Sequence, residues 1–170
     1  MSLHHAESKL DFQPGVRAAT AADAPALAAL INRAFAVEQF FLVHDRVTLA
    51  QVESSLDRGT FLLLEADGAL QAAVFCEMGG EIAPGFGRIG MLSVDPELQG
   101  KGIGRRMVEV AESYFRTQGC TFSELRIVDL RSELPPFYRK LGYVEVAQEP
   151  FPDEIEVKMA CHLLRMNKPL

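Results

Sequence analysis

The 170-residue chain is long enough for one ordinary domain, whose folding would remove about 70% of its surface from water. Hydrophobic residues at 48% and charged residues at 24% match a globular protein and exclude a disordered one. The 17 Lys and Arg against 23 Asp and Glu leave a net charge of −6, which argues against nucleic acid as the main ligand and permits a cationic one.

At the start, Met1 to Glu7 hold no basic region followed by an apolar core, so no export signal is expected. Residues 1–14 are set aside as a flexible leader or an expression remnant, and residues 15–170 are expected to form a single domain. Gly15 to Ala19 reads as a short strand. Thr20 with Asp23 then makes a capping-box pattern, and Leu27, Leu30, Ile31, Ala34 and Phe35 line one face of a helix. Ala36 to Asp45 has no period and carries Phe40, Phe41 and His44. Thr48 with Gln51 caps a second helix through Leu49, Val52 and Leu56, closed by Gly59.

Thr60 to Glu65 is an apolar strand, and the Asp67-Gly68 turn returns it as a hairpin through Leu70 to Glu77. Ile89 to Val94 is a further strand. A helix follows with Ile103, Met107, Val110, Ala111 and Tyr114 on one face, and with the pairs Arg105–Glu109 and Glu112–Arg116 expected on its wet side. Leu125 to Leu130 is a strand, and Leu134, Phe137, Tyr138 and Leu141 stripe a short helix with Pro135 and Pro136 in its first turn. Tyr143 to Ala147 and His162 to Met166 are the last strands, separated by a loop at Pro150 to Asp153. No apolar run approaches the ~20 residues of a membrane span, so no membrane partner is expected. Cys76, Cys120 and Cys161 are odd in number and far apart, which suits reduced thiols and a cytoplasmic location.

The chemistry concentrates in Leu92 to Arg106. Gly100, Gly102 and Gly104 stand on alternate positions directly before a helix, where bare amides and the helix dipole suit an anion. Lys101, Arg105 and Arg106 add positive charge to an acidic protein and point to a multiply charged anion such as a pyrophosphate. Two familiar phosphate loops are excluded. A P-loop needs Ser or Thr after Gly-Lys, and Gly102 stands there; G-x-G-x-x-G fails at Arg105 or at Met107, depending on the starting glycine. A plain Gly-rich connection is the other reading.

Gln99 to Gly104 is similar to the Q/R-x-x-G-x-G/A signature of the GNAT N-acetyltransferase superfamily, preceded by Leu92-Ser93-Val94-Asp95-Pro96. Phe137 to Tyr143 resembles that family's later F-Y-x-K-L-G-F/Y segment. The resemblance covers about residues 15–170. It implies an α+β fold in α/β/α layers: a mixed, mostly antiparallel sheet of about seven strands with a splayed central pair, and about four helices. It implies acetyl-coenzyme A as co-substrate, with the loop amides on its pyrophosphate and its pantetheine arm along Leu92, Ser93 and Val94. The implied coenzyme contacts are those three residues, Gln99, Gly100, Lys101, Gly102, Ile103, Gly104 and Arg105.

Transfer of acetyl to an amine needs a free amine lone pair, a polarised carbonyl and a stabilised thiolate. The backbone N–H near Leu92 is the expected carbonyl donor. By family analogy Tyr138 faces the sulfur, mainly as a hydrogen-bond donor to the thiolate; the other reading is a core tyrosine. The strand before the loop lacks the glutamate that some members carry, which leaves Glu77, Glu124, Asp129 or water as base. Arg131 stands where many relatives have asparagine, and either reaches the phosphates or is exposed. Cys120 has no His partner for an acyl-cysteine route, and four scattered histidines make no metal site. His44 is expected either at the acceptor wall or as a plain loop residue, and His162 to be structural. The resulting expectation is an acetyltransferase acting on a small-molecule primary amine. A peptide N-terminus or lysine is the alternative acceptor, and a non-catalytic acyl-coenzyme A binding module the alternative class. A homodimer is left open.

Overall fold

The computed structural model describes residues 12–170. The elements are β1 (Val16–Ala18), α1 (Ala24–Ala34), α2 (Leu49–Arg58), β2 (Thr60–Ala66), β3 (Ala69–Glu77), β4 (Phe86–Val94), α3 (Ile103–Thr117), β5 (Phe122–Val128), α4 (Leu134–Lys140), β6 (Val144–Pro150) and β7 (His162–Pro169). They build one seven-stranded sheet in the order β1-β2-β3-β4-β5-β7-β6. Every pairing is antiparallel except β4 with β5. The α+β fold expected from the sequence is the one present.

The apolar run of β2 has a simple cause, since both its faces are covered. Phe61 and Leu63 pack with α1 and α2, through Leu27, Ile31 and Val52. Leu62 and Leu64 face the other way, toward Met107, Ala111 and Phe115 of α3 and Tyr138 of α4. The hairpin from β2 to β3 turns through Asp67 and Gly68 at φ 54° and 73°, the left-handed pair that matches the twist of its strands.

Strand ends are where the sequence reading departs from the fold. β4 begins three residues before Ile89, at Phe86. A methyl group at Gly87 would lie 2.2 Å from the fully buried Phe115 ring, so the strand needs a glycine under that side chain. β5 likewise starts at Phe122 and ends at Val128, and β7 runs on to Pro169. The Thr20–Asp23 box caps a 3-10 turn at Ala21–Asp23, and α1 follows it. Ala36 to Asp45 holds a 3-10 turn at Ala36–Glu38 and an isolated bridge from Leu42 to Val157.

One further expectation needs correction. Glu112 is not on a wet face; it is buried and accepts from the Tyr143 hydroxyl at 3.0 Å and from Lys168 Nζ at 3.0 Å. Tyr143 also meets Ser123 Oγ at 2.7 Å, so this network locks α3 to β5, β7 and the end of α4. Most of the leader assigned to residues 1–14 lies outside the described residues, but Phe12 packs against Tyr114, with ring centroids 6.5 Å apart. Arg106 donates to Gln13 and to the Pro14 carbonyl, which ties those residues to α3.

Candidate active site

The site begins with a defect in β4. Ala73 pairs with Ser93 and Phe75 with Gly90, so Met91 and Leu92 together oppose Val74. This bulge puts Met91 at φ 45°, an unfavourable angle for a side-chain-bearing residue, and bends the strand. Beside it, the parallel ladder between β4 and β5 stops at Ile89 and Leu125. Beyond that point the two strands diverge and leave a slot whose β4 wall includes Leu92 and Val94. Ser93, expected among the coenzyme contacts, is fully buried and its hydroxyl donates to the Met91 carbonyl at 3.0 Å. Its side chain therefore pins the bulge from the core side and does not line the slot.

At the far end of β4, Pro96–Leu98 forms one 3-10 turn and the chain enters α3 through Gly100 and Gly102 at φ 78° and 80°. No side chain caps α3. The amides of Gln99, Gly100, Lys101 and Gly102 donate to no other group among the described residues, and those of the first helical turn follow them. A methyl group built on Gly100 or Gly102 meets nothing within 4 Å, so the face above these amides is open. The side chains contribute less than their charges suggest. Lys101 does not line the cleft, Arg106 is held by residues 13 and 14, and Arg105 lines it while bound to Glu109 at 3.0 Å. What the loop offers an anion comes chiefly from its amides and the helix dipole behind them.

The cleft has a volume of about 1310 Å³, above the ~300–1,000 Å³ of a usual small-molecule pocket, and so has room for two reactants. Leu92, Val94, Gln99, Gly100, Gly102, Ile103, Gly104 and Arg105 line one end, and Tyr138 and Arg131 line it further on. Tyr138 projects from α4, wedged edge-on against Phe137 and Tyr143 with ring centroids at 4.9 and 5.9 Å. Its hydroxyl has no hydrogen-bond partner among the described residues. Burial pushes its pKa up to about 12, against a smaller opposite effect of the Arg131 charge. It stays protonated at any physiological pH.

Arg131 is neither exposed nor directed at a phosphate loop. Its guanidinium donates to Glu38 at 3.2 Å and to Glu133 at 2.9 Å, and its side chain is only 18% exposed. That pairing reveals a carboxylate that the sequence reading missed. Glu38 is buried, lines the cleft, and has its pKa raised chiefly by loss of water, with Arg131 and Arg46 pulling it back. The available signal was a lone acid in the aromatic stretch Ala36 to Phe41. The three carboxylates considered from the sequence each have a partner: Glu77 with Arg58 at 3.0 Å, Glu124 with Arg88 at 2.7 Å, and Asp129 with the His162 amide at 2.9 Å.

The wall beyond Glu38 is made by two loops zipped together. Lys158 donates from its amide to the Phe41 carbonyl at 2.7 Å, and Val43 to that of Glu156 at 3.2 Å. His44 and Glu156 meet at 3.1 Å across the same junction, which places His44 on the cleft wall. Phe41, Leu42, Val128 and Cys161 pack beneath it. Burial raises the pKa of all three cysteine thiols, which opposes thiolate formation. Among the described residues no group of three or more His, Cys, Asp or Glu could hold a metal, and no helix is long and apolar enough to cross a membrane.

Residues 26–143 match the Acetyltransferase (GNAT) family, and the chain belongs to that family. It is 30% identical to a mycothiol acetyltransferase of Beutenbergia cavernae over 132 residues, covering 75% of this chain and 43% of that protein. An uncharacterized N-acetyltransferase of Chlorobaculum tepidum is 35% identical over 86 residues, covering 46% of this chain and 52% of that protein. The aligned regions thus span about half the length of these curated relatives. The fold superposes on a ribosomal-protein-alanine N-acetyltransferase from Brucella melitensis with a TM-score of 0.74 at 21% identity, over 91% of this chain and 99% of that one. It also superposes on yncA, a putative acetyltransferase from Salmonella typhimurium solved with acetyl-CoA, with a TM-score of 0.70 at 21% identity, over 94% of each chain.

Proposed function

We propose that this chain transfers an acetyl group from acetyl-coenzyme A to the primary amine of a small molecule, by direct attack within a ternary complex in the cytoplasm. One observation carries the reading: loop amides and a tyrosine hydroxyl that have no partner among the described residues share a single cleft with a splayed strand edge. Family membership supports the same chemistry.

In this reading the pyrophosphate rests on the amides from Gln99 to Arg105, and the pantetheine arm follows the open edge of β4 at Leu92 and Val94. A backbone N–H at Leu92 polarises the thioester carbonyl. The amine nitrogen attacks the carbonyl carbon, the tetrahedral intermediate collapses, and the C–S bond breaks. Glu38 takes the proton that the ammonium must lose, directly or through water. Its raised pKa suits that task better than an ordinary carboxylate would. Tyr138 donates a hydrogen bond to the departing thiolate. Full proton transfer from a group at about 12 to a thiol near ~8.5 is uphill by roughly 5 kcal/mol, so Tyr138 keeps its proton and the thiolate takes one from the amine.

The test is free-thiol release from acetyl-coenzyme A with a panel of amines and peptides. Release with an acceptor, reduced about 100-fold in kcat by Tyr138→Phe while calorimetric coenzyme affinity stays unchanged, is the expected result. Coenzyme binding without turnover for any acceptor would instead identify a binding module.

A further inference from the structure

Six arginines line the cleft, and five of them have a carboxylate at ion-pair distance. Arg58 has Glu77, Arg88 has Glu124, Arg105 has Glu109, Arg126 has Glu149, and Arg131 has Glu38 and Glu133. Arg46 is the exception: among the described residues it makes no ion pair and no side-chain hydrogen bond. It is nevertheless ordered, because its guanidinium lies over the Phe35 ring at 5.3 Å from the centroid. Stacking of that kind fixes the plane of the cation and leaves its N–H donors unused.

A desolvated cation without a counter-ion is costly, and burial here lowers the Arg46 pKa more than nearby Glu38 restores it. The fold keeps this cost at a position facing the cleft. Beside it stands Glu38, whose carboxylate accepts one hydrogen bond from Arg131 and is within electrostatic reach of Arg46.

We infer that Arg46 is a binding residue for a carboxylate on the acceptor, so that the amine this site takes is an amino-acid-like zwitterion. The inference rests on the acetyl-transfer reading above and goes beyond it by fixing the substrate class. A planar guanidinium with free donors matches a carboxylate in two parallel hydrogen bonds. Glu38 faces the ammonium of the same molecule. A diamine or polyamine would set a second cation against Arg46, and an amide or a peptide extended from that end would leave the guanidinium unpaired.

The experiment compares free L-amino acids, the matching amino-acid amides and simple alkylamines as acceptors. Thiol release is measured in the wild type, Arg46→Met and Arg46→Lys. The wild type is expected to prefer free acids over amides by about 30-fold or more in kcat/KM, with the difference carried mainly by KM. Arg46→Met should bring that ratio close to one and Arg46→Lys should keep part of it, with coenzyme affinity unchanged in both. Equal use of acids and amides by the wild type, a comparison that needs no variant, would overturn the inference and leave acetyl transfer standing. So would a loss in Arg46→Met that falls alike on every acceptor. No thiol release with any amine, from protein that binds acetyl-coenzyme A, would remove both readings.

Discussion

Gly102→Val is expected to bind acetyl-coenzyme A about 100-fold more weakly while remaining folded. Two effects act together. Residue 102 sits at φ 80°, where a β-branched side chain is strained, so the loop would tend to rotate its amides out of line. The new side chain would also fill the open face above those amides, since nothing in the protein lies within 4 Å of a Cβ at this position. That emptiness is also why the fold should survive: no core atom is displaced. Gly104→Ala supplies the control. Gly104 is not left-handed, and its Cβ would meet Phe137 at 3.6 Å and Val94 at 3.9 Å, which are ordinary contacts. Calorimetry with acetyl-coenzyme A should therefore separate the two variants clearly. Equal affinities in two folded proteins would show that the coenzyme does not rest on this loop.

Glu38→Gln is expected to lower kcat by about 100- to 1,000-fold, the range lost when a positioned proton acceptor is removed. Gln keeps the shape and can still accept from Arg131 while losing the charge. The pH dependence gives the sharper readout. Burial raises the Glu38 pKa above its ordinary value, and the base must be ionised to act. Activity should therefore fall as pH drops through that raised pKa, and the fall should be absent in Glu38→Gln. The stability linkage has the opposite sign. A carboxyl with a raised folded pKa contributes stability below its unfolded pKa and loses it as pH rises through the folded one. Removing its charge should thus leave the melting temperature at neutral pH undiminished, and lost turnover could not be assigned to unfolding. An unchanged acid limb in Glu38→Gln would pass the proton to water or another group.

The parts of this site that were legible in the sequence are those made by neighbours in the chain. Three alternate glycines before an amphipathic helix define the loop, and Tyr138 is marked by the segment around it. The parts that were not legible depend on register or on distant partners. Ser93 belongs to the core because a bulge opposite Val74 reverses which side chains face in, and no local pattern encodes that reversal. Glu112 looks like half of a surface pair until Tyr143 and Lys168 arrive from elements folded later in the chain. Glu38 and Arg131 are separated by 93 residues, and nothing in either neighbourhood announces the other. Arg46 stands out only when every other arginine in the cleft has been paired.

The proposed acetyl transfer depends on the loop amides meeting the coenzyme, and an amide-resolved NMR titration with acetyl-coenzyme A tests this most directly. The backbone N–H signals of Gly100, Gly102 and Ile103 should move downfield and become protected from exchange as the coenzyme saturates. Signals that stay in place while the coenzyme binds and shifts residues elsewhere would contradict it.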